Sequence, residues 1–99
     1  MRYDAAVEKA RGMGTWARTY KGQVPRDLAA PTPELHSRWD RDKDDMEFQL
    51  KVEAAFQGFD LLFDLWFEKD SDTEASDSGK GVYRFTVWRA HARASRAQR

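Results

Sequence analysis

Ninety-nine residues, 40% of them hydrophobic and including four Trp, six Phe and three Tyr, suffice for one domain with one small core and are unlike a disordered chain. Cysteine is absent, which excludes disulfides, thiolate metal sites and cysteine nucleophiles and is consistent with a cytoplasmic protein. The formal net charge is zero but segregated: residues 1–39 carry seven Lys/Arg against four Asp/Glu, 40–77 carry four against thirteen, and 78–99 carry six against none.

Residues 3–11 read as a helix, with Tyr3, Val7 and Ala10 at helical spacing and Gly12 and Gly14 ending it. The opening MRYDAAVE is too acidic for a secretory signal. Residues 15–20, TWARTY, suit a short strand or a continuation of the helix. Residues 22–33 hold all three prolines and form a connector. Thr32, Pro33 and Glu34 then carry the marks of a helix start, as cap, first-turn proline and first-turn acid. Leu35 and Trp39 would share a face of that helix, and the charged run DRDKDD, Asp40 to Asp45, would end it.

The stretch 46–68, MEFQLKVEAAFQGFDLLFDLWFE, satisfies two periods. At period two, Phe48, Leu50, Val52, Ala54 and Phe56 share a face, and after Gln57-Gly58 the phase slips to Phe59, Leu61, Phe63, Leu65 and Phe67. At period 3.6, Phe48, Val52, Phe56, Phe59, Phe63 and Trp66 share one instead. Val82–Trp88, VYRFTVW, is a strand by its β-branched and aromatic content. A strand must have partners for its backbone groups, and a hairpin at 47–68 would supply them. Residues 69–80 have a loop composition, and 89–99, where Arg alternates with small residues, reads as a frayed helix or basic tail. The expected architecture is α+β: short N-terminal helices packed on a small antiparallel β-meander of about three strands, with residues 1–91 as a single domain and 92–99 as a basic C-terminal tail. No apolar run approaches the roughly 18–20 residues of a membrane span.

Several chemistries find little support. Asp40, Asp42 and Asp44 match the first three positions of a calcium loop, but Asp45 stands where glycine is needed and Lys51 where the bidentate Glu belongs. His36 and His91 lie 55 residues apart, and no spacing makes them ligands. None of the serines sits in a nucleophile elbow, and no glycine loop cradles a phosphate. The expectation is a non-enzymatic protein with no cofactor and no metal.

Two binding readings remain. In the first, the acidic surface of Asp40, Asp42, Asp44, Asp45, Asp60 and Asp64, with the 70–77 segment, docks on a basic protein partner, with Trp39 and Trp66 as anchors. In the second, Tyr83, Arg84, Trp88, Arg89, Arg93 and Arg96 bind nucleic acid, aromatics stacking bases while arginines meet phosphates. A homo-oligomer is open too, the basic tail of one copy meeting the acidic segment of another. No family motif is present. In composition the chain resembles the small, cysteine-free, charge-segregated proteins of phages and mobile elements that inhibit host defence complexes. That resemblance is one of composition and covers no specific residues; it is the acidic surface that suits a nucleic-acid mimic occupying a basic, nucleic-acid-binding site on the partner.

Overall fold

The computed structural model describes residues 2–75, 79 and 81–98. In chain order the elements are α1 (Tyr3–Arg11), β1 (Gly14–Ala17), β2 (Glu34–His36), α2 (Lys43–Phe56), β3 (Leu61–Ala75) and β4 (Val82–Ser95). They form one mixed sheet in the order β1-β3-β4-β2, with β1 parallel to β3 and the other pairs antiparallel. The α+β class is as expected. The three-stranded antiparallel meander is not: the sheet has four strands and one parallel pair.

The difference starts at 46–56, which is helix rather than the first strand of a hairpin. The side chain of Asp42 caps α2 by accepting from the backbone N–H of Asp44 and Asp45, at 3.0 and 3.1 Å; such a cap contributes about 1 kcal/mol. Met46, Leu50 and Ala54, four residues apart, are fully buried on one face. The helix ends in a Schellman motif. Gly58 takes the left-handed conformation at φ +85, its N–H bonds Ala55 O at 3.1 Å, and the Phe59 N–H bonds Ala54 O at 2.9 Å. The phase slip at Gln57-Gly58 therefore marks a change from helix to strand, not a hairpin turn.

The second expected helix, at 32–39, is also absent. Residues 34–40 run extended along the edge of β4, pairing Glu34 with Arg93, Leu35 with Ala92 and His36 with His91, and closing with a bridge from Asp40 to Trp88. Pairing buries Leu35 in the core, which outweighs the weak preference of a three-residue cap signal. Likewise 69–75 is strand rather than loop, and the expected tail supplies Ala92–Ser95 to β4. Asp77 of the expected acidic segment lies outside the described residues.

Helix α2 covers one face of the sheet, and α1 packs against α2. Leu62, Leu65, Ala90, Ala92 and Ala94 meet Ala6, Met46, Leu50, Ala54 and Ala55 there. Three alanines on alternate residues of β4 allow α2 to lie close to the strand. On β3 a bulge between Phe63 and Trp66 keeps both Leu62 and Leu65 on the covered face, with Asp64 as the extra residue at φ +53. Asp64→Gly is expected to raise stability by roughly 0.5–1 kcal/mol, since glycine takes this conformation without steric cost; urea unfolding measures it. The opposite face is partly covered by the 18–33 connector, which bridges Arg26 to Ala97 and sets the Arg26 guanidinium 4.7 Å from the Phe63 ring centroid.

Candidate binding surfaces

The helix-covered body accounts for only part of β3 and β4. From Lys69 to Ala75 and from Val82 to Val87 the two strands continue as a two-stranded arm, and the molecule measures 59 × 33 × 18 Å. In the arm Asp70 pairs with Val87, Asp72 with Phe85 and Glu74 with Tyr83. Successive residues of a strand face opposite ways. One face of the arm therefore carries Asp70, Asp72 and Glu74 in a row, continued by Glu68, at a spacing of roughly 7 Å. Beside that row run Tyr83, Phe85 and Val87. The other face carries Lys69, Ser71 and Thr73 opposite Trp88, Thr86 and Arg84. The acidic arm face is the one turned away from the helices. Tyr83 is 63% exposed there, and Asp70, Asp72 and Glu74 are all exposed.

One cation is already seated on this face. Arg41 places its guanidinium carbon 3.5 Å from the centroid of Phe85 and bonds Glu74 Oε2 through an N–H at 2.8 Å. On the other face Lys43 lies 4.5 Å from the Phe67 centroid and 4.8 Å from that of Trp88.

A second feature lies on the same side of the sheet but nearer the body. A cavity of about 250 Å³ is lined by residues of β2, β3 with its bulge, and β4, together with Arg18 just past β1, among them Glu34, Trp66 and Arg93. At its wall His91 Nε2 lies 2.8 Å from Glu68 Oε1, and His91 Nδ1 lies 2.6 Å from His36 Nδ1. Glu68 accepts, so Nε2–H of His91 donates; a neutral His91 then accepts at Nδ1 from His36. Trp66 stacks on His91 with centroids 4.3 Å apart, and the Arg18 guanidinium carbon is 4.7 Å from the Trp66 ring. Arg93 bonds Glu34 at 2.9 Å and lies 3.9 Å from Asp64. Both nitrogens of His91 are thus committed, and no group of three His, Asp or Glu side chains is placed to hold a metal ion among the described residues. The chain Glu68–His91–His36 links β3, β4 and β2, and what it accomplishes is to pin the short edge strand in register.

The residues expected to form one acidic docking face are dispersed. Asp42 is a helix cap, Asp44 and Asp45 lie in the first turn of α2, and Asp40 accepts from the backbone N–H of Arg41 at 2.6 Å and of Asp42 at 3.4 Å. These backbone bonds, with Arg38 beside it, hold the Asp40 carboxyl below the usual carboxylate range. Asp60 sits beyond the far end of β3, accepting from the Ala97 N–H at 2.9 Å and pairing with Lys9 at 3.0 Å. Asp64 is on the bulge. Trp39 is 37% exposed, and Trp66 is half-buried against His91. Of the expected set, only Asp70, Asp72 and Glu74 of the 70–77 segment make a continuous row, and Glu68, Phe85 and Arg41 join it without having been anticipated. The parity of Glu68, Asp70, Asp72 and Glu74 was the signal available in the sequence.

The nucleic-acid set is divided as well. Tyr83, Arg89 and Arg93 point to one face of β4, Arg84 and Trp88 to the other, and Arg96 lies past the end of the strand. Arg89 donates to Ser37 O at 2.9 Å and lies opposite Glu68.

The Ala97 N–H, opposed by partial burial and aided by Lys9, also lowers the pKa of Asp60. The unfolded chain takes up this proton first as pH falls, so the stability that Asp60 contributes is present at neutral pH. It is lost from about pH 3.8 downward, through the lower folded value. Asp60→Asn is expected to lose stability at pH 7 and to narrow the difference between pH 7 and pH 3, as read by urea titrations at both.

No helix among the described residues is long and apolar enough to cross a membrane. Comparison with protein-family models, curated proteins and solved structures finds no match.

Proposed function

We propose that the protein is a non-enzymatic protein-binding module whose arm docks on a basic surface of a partner, of the kind that binds nucleic acid. The carrying observation is the row Glu68, Asp70, Asp72 and Glu74 lying beside Tyr83, Phe85 and Val87 on the open face of a projecting hairpin. Carboxylates steer a cationic partner and fix its register. The exposed Tyr83 and the half-buried Phe85 next to them provide area to desolvate, which is where binding energy concentrates. An inhibitor that covers a nucleic-acid-binding site has this character, in keeping with the compositional likeness to such proteins of phages and mobile elements.

The nucleic-acid reading fits the arm less well. The face that carries Tyr83 and Phe85 has four carboxylates on it, which repel phosphates, and Trp88 lies on the opposite face. Fluorescence anisotropy with a labelled basic peptide and a labelled single-stranded oligonucleotide, each over a range of salt, separates the two. The expected result is salt-sensitive binding of the peptide and none of the oligonucleotide. Oligonucleotide binding without peptide binding would overturn the proposal.

A further inference from the structure

We infer that the open face of the arm recognises an arginine guanidinium, and that Arg41 is a built-in ligand which a partner's arginine displaces. This rests on the protein-binding reading and names the group that the surface takes.

The slot has a floor and a wall. Phe85 is the floor, with the Arg41 guanidinium carbon 3.5 Å from its centroid, and Glu74 is the wall, at 2.8 Å from a guanidinium nitrogen. Glu74 lies directly opposite Tyr83 in the ladder, so Phe85 is its diagonal neighbour, within reach of a long side chain. Arg41 enters from the edge, just past the point where Asp40 bridges to Trp88. Among the described residues five other cation–ring contacts occur, made by Arg18, Arg26, Lys43 and Lys69, and none of those cations has a carboxylate within ion-pair distance. Among the described residues Arg41 alone satisfies a ring and a carboxylate together.

That combination selects guanidinium over ammonium. A planar guanidinium lies flat on a ring while the N–H groups at its rim reach sideways to an acid. An ammonium is compact and strongly hydrated, and it meets either partner as a point charge. Each of the two rings on this face also has a carboxylate directly across from it, Glu74 opposite Tyr83 and Asp72 opposite Phe85. A segment bearing several arginines therefore finds ring and carboxylate in register along the arm.

Arg41 is also placed to leave. Its side chain is 58% exposed and that of Glu74 62%, so the contact is held against water on most sides. A partner's arginine would replace it like for like, and Arg41 would return to solvent. The wild-type chain therefore binds arginine more weakly than its slot allows.

The test uses the full chain with labelled octa-arginine and octa-lysine peptides at one ionic strength. The expected result for the wild type is tighter binding of octa-arginine. Arg41→Ala should tighten octa-arginine further, by roughly three- to tenfold, which is the scale of an exposed cation–ring contact and ion pair. Octa-lysine reports the change in net charge alone and should move far less. Phe85→Leu and Glu74→Gln should each reduce the preference for arginine over lysine, so the inference does not hang on one variant's folding, which circular dichroism checks. Equal binding of both peptides by all four proteins would overturn the arginine slot and leave the basic-partner reading standing. Binding of neither peptide would overturn both.

Discussion

Reversing Asp70, Asp72 and Glu74 together to lysine is expected to weaken binding of a basic partner by at least about a hundredfold, with the melting temperature changed by only a few degrees. Like charges brought together across an interface cost several kcal/mol, and three reversals turn the row from attraction to repulsion. The fold should tolerate the change. All three residues are exposed, and their recorded side-chain bonds are to the adjacent backbone, at Ser71 and Thr73, and to Arg41. Aspartate is a poor strand former, and lysine is no worse. Isothermal titration with the partner or a basic peptide measures the loss, and a thermal melt measures the fold. Binding that survives the triple reversal would remove the arm from the interface. The acids of DRDKDD are a poorer choice for this experiment: Asp42 holds the start of α2, so its reversal mixes a folding defect with any binding defect.

Leu50→Ala should have the largest effect on stability, a loss of about 3 kcal/mol. Leu50 is 0% exposed and sits in the cluster that joins α2 to the sheet, with Met46 and Ala54 on its own helix and Leu62 and Ala92 opposite. Alanines already line β4 at this contact, so the backbone has little room to collapse into the space left behind. For a chain of this size the loss lowers the melting temperature by roughly 12–24 °C. Phe56→Ala removes a larger side chain from the same helix, but Phe56 is 43% exposed, and its truncation is expected to cost about 1 kcal/mol or less. A comparable cost for the two would mean that α2 is not fixed by its sheet-facing side.

Much of the fold was legible. Helix α1, the connector at 22–33 and the central strand at 82–88 follow from local chemistry: alanine content and glycine stops, proline, and β-branched and aromatic residues. The misreadings share a cause. In 46–68 helical and strand periods coexist because the segment contains one of each, joined at Gln57-Gly58. The turn signal there was real, and its type was decided by whether Phe59 N–H could reach back to Ala54 O. In 69–75 the residues are polar and poor strand formers, and they are strand because VYRFTV pairs with them. In 89–95 the alternation of Ala90, Ala92 and Ala94 with Arg89, His91, Arg93 and Ser95 is itself a period-two pattern. It resembled a basic tail because the apolar half is only alanine.

The binding surfaces were legible in ingredients and not in place. Acids, aromatics and two histidines are all visible along the chain, but the β2–β4 register alone brings His36 beside His91 across 55 residues. By itself the sequence determined the α+β class, the absence of thiol chemistry, the single small core and the separation of charge, because these depend on residue type and on neighbours within a few positions. Only the tertiary structure decided the four-stranded mixed sheet, the dispersal of the acids of DRDKDD into a cap and a turn, and the alignment of Glu68, Asp70, Asp72 and Glu74 with Tyr83 and Phe85. Those depend on strand register and helix packing. Both are set by which distant residues bury area and pair backbone groups together, and local propensity carries no record of that choice.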